Sequence, residues 1–330
     1  MTRERSRQRL RRRDRNALIA ASLTALSLTA SGCVVVHGER VVLPATTRAE
    51  AAKALTAFTT AYNKADKAYD SSLDAPHVTG AVADIDSARL QAGHVNSPSG
   101  NRDHTPLTLT DVKYTIPKKA GWPRWFVADG RGNKGGNFRW VLVFTRNGLG
   151  ERWQVSYLTL MAPGTVPEFK KDADGWAEAV PAGSPGLAVR PDELSKAYAA
   201  YLKSGGQTFA DGRDTSGLRA DREKAAKKPG LVRQFIDEPL THGDYAPLAL
   251  RTADGGALVF FTTHHYEKQT AYTGGTVSVP NKDVQALVKG EVKQSLTLES
   301  IANEAVLDPA GSGPVRMLGR VQGLTAAQGE

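Results

Sequence analysis

The sequence contains almost no cysteine: Cys33 is its single one in 330 residues. One cysteine cannot form a disulfide within the chain, so a folded body outside the cytoplasm has to be stabilised by packing. The sequence also lacks a Walker A motif, an H-E-x-x-H motif and a C-x-x-C motif. It therefore offers no usual signature of a phosphate loop, a zinc protease or a dithiol redox site.

Long apolar runs are scarce as well. The uncharged stretch from Ala17 to Ala30 has fourteen residues, four of which are Ser or Thr. A membrane-spanning helix needs about 20 predominantly apolar residues, so this stretch fits the core of a cleaved signal peptide better. The first sixteen residues precede it with eight arginines against two acidic residues, and such a positive segment stays on the cytoplasmic side.

Cys33 follows this stretch after three small residues, 30–32. That order resembles a bacterial lipoprotein signal peptide, although the usual pattern has Leu where Ala30 stands. We predict that residues 1–32 are removed and that lipid on Cys33 holds the protein at the outer face of the plasma membrane. Two acyl chains anchor stably, at about 0.8 kcal/mol for each buried CH₂. The alternative is a free thiol behind an ordinary secretory signal, and Arg12-Arg13 leaves twin-arginine export open beside Sec export.

The net charge of +9 comes mostly from the signal peptide. Without residues 1–32 the chain has 35 basic and 32 acidic side chains, a net charge of +3. A nucleic-acid-binding surface normally needs a much larger basic excess. We therefore expect no nucleic-acid partner.

The mature chain predicts an α+β fold. A capping-box sequence at Thr47 precedes apolar residues at helical spacing from Ala51 to Tyr62, which indicates an amphipathic helix. From Leu107 to Leu160 the apolar period changes to two, and Asn147-Gly148 marks a hairpin. Residues 48–167 are therefore predicted to form a first domain with a helix followed by an antiparallel meander.

The same plan is predicted to occur twice. Residues 168–190 are rich in proline and glycine and indicate a linker, and residues 191–330 begin again with a helical pattern. Residues 246–250 then echo residues 105–109. Two repeated helix-then-antiparallel-sheet domains of this kind are similar to the nuclear-transport-factor-two or cystatin-like cone, which hosts enzymes and binders alike. Residues 33–47 would connect them to the anchor as a tether or short extended segment.

Three segments carry a more specific resemblance: residues 61–66 (A-Y-N-K-A-D), 118–127 (K-K-A-G-W-P-R-W-F-V) and 290–298 (G-E-V-K-Q-S-L-T-L). With them the chain resembles a group of lipoproteins from high-GC Gram-positive (actinobacterial) bacteria that share one domain of unknown function. The resemblance spans nearly the full mature length. It implies an exported, membrane-anchored protein, and it implies no catalytic residue, mechanism or cofactor.

The densest group of titratable residues is Thr263-His264-His265-Tyr266-Glu267. Adjacent side chains of a strand point to opposite faces, so His264 and His265 cannot easily share one metal, whereas His265 and Glu267 lie on one face. His265 and Glu267 are therefore candidate ligand-binding residues. The plainer alternative is a solvated strand end, and no metal site is predicted.

All five tryptophans precede the predicted second domain. Trp122 and Trp125 stand beside a proline and an arginine and are candidates for an exposed role in an aromatic pocket for an apolar or glycan ligand. The alternative is core packing, which the placement of Trp140 and Trp153 on either side of the hairpin turn favours.

Two functions fit these patterns. The first is a lipid-anchored, non-catalytic binding or scaffold module of the cell envelope, whose partner is an envelope protein or a cell-wall component. The second is an enzyme of the cone-shaped superfold with a general acid or base inside the sheet cavity. A closed pocket with a buried Asp or His of perturbed pKa would favour the enzyme. No cofactor is predicted for either function.

Overall fold

The structure, a computed structural model, describes residues 41–226 and 229–330. The predicted signal peptide, Cys33 and most of the predicted tether 33–47 lie outside these residues. Residues 44–118 and 123–330 belong to one unit of the described chain. No helix within the described ranges is long and apolar enough to cross a bilayer.

The described residues form five α-helices. Their bounds are α1 Arg48–Ala68, α2 Gly80–Asn96, α3 Leu194–Ser204, α4 Leu218–Ala226 and α5 Lys282–Leu287. α1 starts where the sequence predicts, because Thr47 Oγ1 accepts a hydrogen bond from the backbone N–H of Glu50 at 3.1 Å. Its predicted apolar stripe is buried at Ala51, Leu55 and Phe58, so the helical spacing is confirmed.

The described chain also contains thirteen strands. Their bounds are β1 Leu43–Pro44, β2 Leu109–Thr115, β3 Pro117–Lys119, β4 Arg124–Gly132, β5 Arg139–Arg146, β6 Gln154–Met161, β7 Ala177–Val180, β8 Leu231–Leu240, β9 Leu248–Arg251, β10 Ala257–Ala271, β11 Val288–Lys289, β12 Ser295–Asp308 and β13 Arg316–Gly329. They form a four-stranded sheet in the order β2-β4-β5-β6. The other sheet has nine strands, in the order β1-β3-β7-β9-β10-β12-β13-β11 with β8 also paired to β10.

The four-stranded sheet contains the meander that the sequence predicts. β4 and β5 pair antiparallel along nearly their whole lengths, and β6 returns beside β5 after the turn at Asn147-Gly148. One face packs against α1 through Phe126 and Phe144, whose ring centroids lie 4.8 Å apart. The other face packs against the nine-stranded sheet. The meander is therefore covered by apolar neighbours on both sides.

The nine-stranded sheet joins strands from both predicted domains and from the segment between them. β3 precedes residues 168–190, β7 lies inside them and β9 follows them. Ala177 of β7 pairs with Pro117 of β3, and Ala179 of β7 pairs with Leu250 of β9. One sheet thus runs through the segment that the sequence indicates as a linker.

The predicted α+β class is confirmed, whereas a repeat of two cone-shaped domains is not. The first half of the chain holds a separate four-stranded sheet, and the second half contributes most of the nine-stranded one. The sequence echo does not place equivalent residues in equivalent elements, because Leu107 lies before β2 while Leu248 begins β9. The boundaries 48–167, 168–190 and 191–330 stay predictions.

Candidate functional site

The two candidate tryptophans lie in different surroundings. Trp125 is on β4, only 2% exposed, and belongs to the apolar interior together with Tyr157 and Phe260. The expectation of an exposed Trp125 is therefore wrong, because β4 begins at Arg124 and the strand alternation turns Trp125 inward. Trp122 lies in the bend before β4 and is half-buried. Its ligand-binding role stays a prediction.

His265 and Glu267 share one face of β10, as the period of two predicts. His265 is only 3% exposed, so a solvated strand end is the wrong interpretation for this residue. Glu267 is half-buried, and its Oε1 lies 3.3 Å from Nε of Arg233 on β8. The face that the sequence singled out is thus rich in polar contacts rather than open to solvent.

His265 is the centre of a group that we call the buried polar cluster. Its members are Arg222, Asp237, Thr263, His265, Glu304 and Arg320. Asp237 Oδ1 lies 2.5 Å from His265 Nδ1, and Thr263 Oγ1 lies 2.8 Å from His265 Nε2. Thr263 also donates a hydrogen bond to Glu304 Oε1 at 2.6 Å. These contacts run without a break from β8 through β10 to β12.

Two arginines complete the cluster. Arg222 of α4 donates to both carboxylate oxygens of Asp237, at 2.7 and 2.8 Å. On β13, Arg320 Nε lies 3.5 Å from Glu304 Oε1, and Arg320 Nη2 lies 3.1 Å from His265 Nε2. Each carboxyl group therefore has a guanidinium beside it, which offsets part of the cost of removing it from water.

The two carboxyl groups of the cluster differ in pKa. Burial raises the pKa of Glu304, although His265 and Arg320 oppose the shift. Glu304 Oε2 has no hydrogen-bond partner among the described residues. Burial acts on Asp237 in the same direction, but hydrogen bonds from His265 and Arg222 outweigh it and hold the pKa of Asp237 below its ordinary value. Such a pair has the electrostatics of an acid–base site.

Access for a substrate is the second requirement of the enzyme alternative. A groove of about 480 Å³ beside α4 and β8 is lined by Arg222 and Asp237, but not by Thr263, His265 or Glu304. Nor do three metal-binding side chains come together anywhere in residues 41–226 and 229–330. The enzyme alternative thus has the perturbed groups that it requires, but this groove does not reach His265.

A larger groove, of about 970 Å³, lies elsewhere, and we call it the basic groove. Strands β2, β4 and β5, residues 163–171 and the first residue of α1 line it. Its charged side chains are the basic residues Arg48, Lys113, Arg131, Arg139 and Lys171 and the acidic residues Asp129 and Glu168. Tyr114 and Phe169 add aromatic surface. The groove therefore combines a local excess of positive charge with room for a sizeable ligand.

Two carboxylates at or near the groove, those of Asp129 and Asp111, pair with Arg139. Its Nε is bonded to Asp129, and its Nη1 lies 2.9 Å from Asp111 Oδ2. The hydrogen bond from Arg139, followed by its charge and those of Lys113 and Arg131, holds the pKa of the exposed Asp111 below its usual range. Three positively charged side chains thus lie near this carboxylate at the rim of the groove.

The other four basic side chains are not neutralised in this way. Within the described ranges, Arg48, Lys113, Arg131 and Lys171 form no ion pair with a carboxylate and donate no side-chain hydrogen bond. They remain available to bind a negatively charged ligand. The arrangement can bind anions, and it contains no His or Cys for nucleophilic or acid–base chemistry.

Sequence reasoning missed the basic groove because its residues are spread from position 48 to 171 with no common spacing. The nearly balanced charge of the mature chain also hides the local excess. One signal was present in the meander, where Arg131 of β4 lies directly opposite Arg139 of β5. Like charges facing each other across strands are unfavourable unless other groups offset them. Two arginines facing each other therefore indicate that carboxylates of the protein, or a negatively charged ligand, lie between or beside them.

A family model described as "Domain of unknown function (DUF8094)" matches residues 42–329. The chain belongs to this family. An uncharacterised lipoprotein of Streptomyces coelicolor is 68% identical over 330 residues, and the match covers 100% of both chains. An uncharacterised lipoprotein of Streptomyces avermitilis is 64% identical over 333 residues, again covering 100% of both. The predicted resemblance to actinobacterial lipoproteins with a domain of unknown function is confirmed.

A more distant relative matches over nearly the same length. A second uncharacterised lipoprotein of Streptomyces coelicolor is 28% identical over 344 residues, covering 97% of this chain and 96% of its own. No solved structure matches the chain at a significant level. Full-length similarity to lipoproteins supports a membrane-anchored, extracytoplasmic protein. Lipid attachment at Cys33 stays a prediction.

Proposed function

We propose that this member of the family is a non-catalytic binding module, anchored through lipid on Cys33 at the outer face of the plasma membrane. Its basic groove would bind a cell-wall or envelope-protein ligand that carries more than one negative charge. The observation that carries this proposal is the set of four basic side chains without a carboxylate partner around one groove. A solvated cation that forms no ion pair within the protein can form one with a ligand.

The positions of these cations favour a ligand with separated charges over a single small anion. Arg48 and Lys171 also line a smaller recess with Trp176, so they act at one place. Lys113 and Arg131 lie on the adjacent strands β2 and β4. Two separate pairs of cations match a ligand with at least two acidic groups, such as a phosphate-bearing or carboxylate-bearing polymer.

The proposal is tested with purified full-length protein and labelled polyanions. Sodium polyphosphate and polyglutamate serve as probes, and neutral dextran serves as the uncharged comparison. The double variant Lys113→Gln/Arg131→Gln should raise the Kd at least tenfold. Binding by the unchanged protein should weaken steeply between 50 and 300 mM NaCl because salt screens solvated charges.

A matched control removes the same charge elsewhere. Lys53 and Lys64 are exposed on α1 and lie outside the basic groove. Lys53→Gln/Lys64→Gln should therefore leave the Kd within about twofold. Equal weakening by both double variants, or no saturable binding of either polyanion, would refute the binding role of the groove.

The anchor is tested separately. Cells grown with labelled palmitate should label the wild-type protein and not Cys33→Ala, which should appear in the culture fluid. Recovery of unlabelled wild-type protein with residues 1–32 still attached would exclude lipid attachment, whatever the groove binds.

A further inference from the structure

Strand β8 has one paired side and one open side. Its ten residues pair antiparallel with β10, from Leu231 opposite Ala271 to Leu240 opposite Thr262. No other described strand pairs with β8. Native proteins usually cover or blunt such an edge, because its unpaired backbone groups can add another strand.

The backbone groups on the open side can be identified. Ser195 Oγ accepts a hydrogen bond from the N–H of Leu240 at 3.1 Å and donates one to Thr262 O at 2.5 Å. Since Leu240 pairs with Thr262, its N–H faces β10. Alternation then directs the backbone N–H and C=O of Leu231, Arg233, Phe235 and Asp237 to the open side. Pro239, which has no N–H, falls on that side as well.

The side chains around this edge include two exposed apolar residues. Val232 is 42% exposed and Ile236 is 53% exposed, on the face opposite to the buried polar cluster. Gln234 lies midway between them and is exposed too. The pattern is symmetric about Gln234, which is the property that a strand needs in order to pair with an identical strand.

We propose that β8 pairs antiparallel with β8 of a second copy of this chain, around a two-fold axis at Gln234. Arg233 then pairs with Phe235 of the second copy and Leu231 with its Asp237, and each of these pairs exchanges both backbone hydrogen bonds. Val232 faces Ile236 of the second copy in a non-hydrogen-bonded pair, where side chains lie closest. The exposed apolar area on both copies is covered by the same contact.

The exposed apolar side chains select this register. Two-fold axes at Arg233, Gln234 or Phe235 would all pair the same backbone N–H groups of the open side, so hydrogen bonds alone do not distinguish them. An axis at Phe235 would place Ile236 opposite Gln234, and an axis at Arg233 would place Val232 opposite Gln234. Only the axis at Gln234 brings Val232 and Ile236, the two exposed apolar side chains of β8, opposite each other.

Cysteine cross-linking of the full-length protein tests the register. Two Gln234→Cys chains should form a disulfide readily, because non-hydrogen-bonded partners have Cα atoms about 4.5 Å apart, within disulfide range. Val232→Cys should not cross-link to itself, since its two copies lie about 13 Å apart along the strand direction. A mixture of Val232→Cys and Ile236→Cys should cross-link. The wild-type chain controls for Cys33, and Leu149→Cys, 83% exposed at a distant turn, controls for random collision.

Sedimentation equilibrium gives a second measurement. Ile236→Lys places a charge in the proposed contact and should raise the dimer dissociation constant at least tenfold while leaving the unfolding midpoint unchanged. The proposal is overturned if the wild-type chain sediments as a monomer, or if Gln234→Cys cross-links no better than Leu149→Cys. Equal self-cross-linking by Val232→Cys would also overturn it.

Discussion

The buried polar cluster and the basic groove use the same residue types under opposite conditions. In the cluster, the side chains of Asp237 and Glu304 are 4% and 0% exposed, and each has an arginine within 4 Å. In the groove, four cations face solvent without a carboxylate partner. Burial makes an unpaired charge costly, whereas water tolerates it. The presence or absence of a partner therefore separates charges that hold the fold from charges that can hold a ligand.

The cluster also explains how α4 stays on the sheet. None of its residues, Leu218–Ala226, is buried. Its attachment comes from arginines: Arg222 binds Asp237 and lies 5.1 Å from the ring of Phe235, and Arg219 lies 5.6 Å from the ring of Tyr201. Leu218 at the start of the helix packs partly against the apolar core, and the charged contacts supplement the small apolar face of this short helix.

The largest effect is expected when one partner is removed from the cluster. Asp237→Ala leaves Arg222 and His265 facing each other without their shared carboxylate, and breaking a buried pair costs about 3 kcal/mol or more. Urea unfolding of the full-length protein measures this loss. The affinity of the basic groove for polyphosphate should not change, because the groove shares no residue with the cluster.

The adjacent Glu238 gives the matched control. It is exposed on the other face of β8, so Glu238→Ala should change the free energy of unfolding by about 0.5 kcal/mol at most. A loss below about 1 kcal/mol for Asp237→Ala would mean that the cluster is a solvated ion pair rather than a structural link.

A third pair of acidic or basic side chains tests whether burial makes an unpaired charge costly. Both members of this pair are aspartates, so neither can neutralise the other. Asp74 and Asp86 are 1% and 6% exposed. Burial, followed by the hydrogen bond and charge of Asp86, raises the pKa of Asp74 to about 8. The Oδ2 atoms of both residues have no other hydrogen-bond partner in the described chain. A proton on Asp74 therefore supplies the missing donor.

The pH dependence follows from this raised pKa. The native state holds the proton of Asp74 up to about pH 8, whereas the unfolded chain releases it near the ordinary value, so stability falls as the pH rises between about 4 and 8. Asp74→Asn cannot titrate, and its amide keeps a donor toward Asp86. It should stabilise the protein by at least about 1 kcal/mol at pH 8 and have little effect at pH 4.

Thermal unfolding at both pH values measures this difference. Asp103→Asn, at an exposed position, removes the same charge without touching the pair and should show no such pH dependence. A destabilised Asp74→Asn at pH 8 would mean that the ionised carboxylate is needed in the fold.

Local patterns predicted the elements better than they predicted the sheets. The capping residue Thr47 and the Asn147-Gly148 turn act within a few residues, and both appear where the sequence places them. The pairing of β7 with β3 and β9 joins residues 60 or more positions apart. Such pairing depends on how apolar faces cover one another, which periodicity along the chain does not encode.

The candidate site was predictable only where neighbours in sequence are neighbours in space. His265 and Glu267 were found because two strand positions share a face. The partners of His265, Asp237 and Glu304, come from other strands and left no local signal. Trp125 was expected to be exposed because a proline and an arginine precede it, although both faces of β4 are covered by apolar neighbours. The basic groove was missed for the same reason as the partners of His265.

The smallest effect is expected at the rim of the basic groove. Asp111 has a φ of 48°, a left-handed conformation that Asn also tolerates, so Asp111→Asn tests the charge without adding backbone strain. Its exposed ion pair with Arg139 contributes little to stability, and the free energy of unfolding should change by about 0.5 kcal/mol at most.

Asp111→Asn should strengthen ligand binding, whereas the lysine and arginine variants should weaken it. Asp111→Asn removes a negative charge that competes for Arg139, so polyphosphate should bind about twofold tighter at 50 mM NaCl, with the gain vanishing at 500 mM NaCl. Asp103→Asn makes the same change in net charge away from the groove and should have no effect. Weaker binding by Asp111→Asn would show that Asp111 positions Arg139 for the ligand. The Asp111 carboxylate would then support ligand binding rather than compete with the ligand.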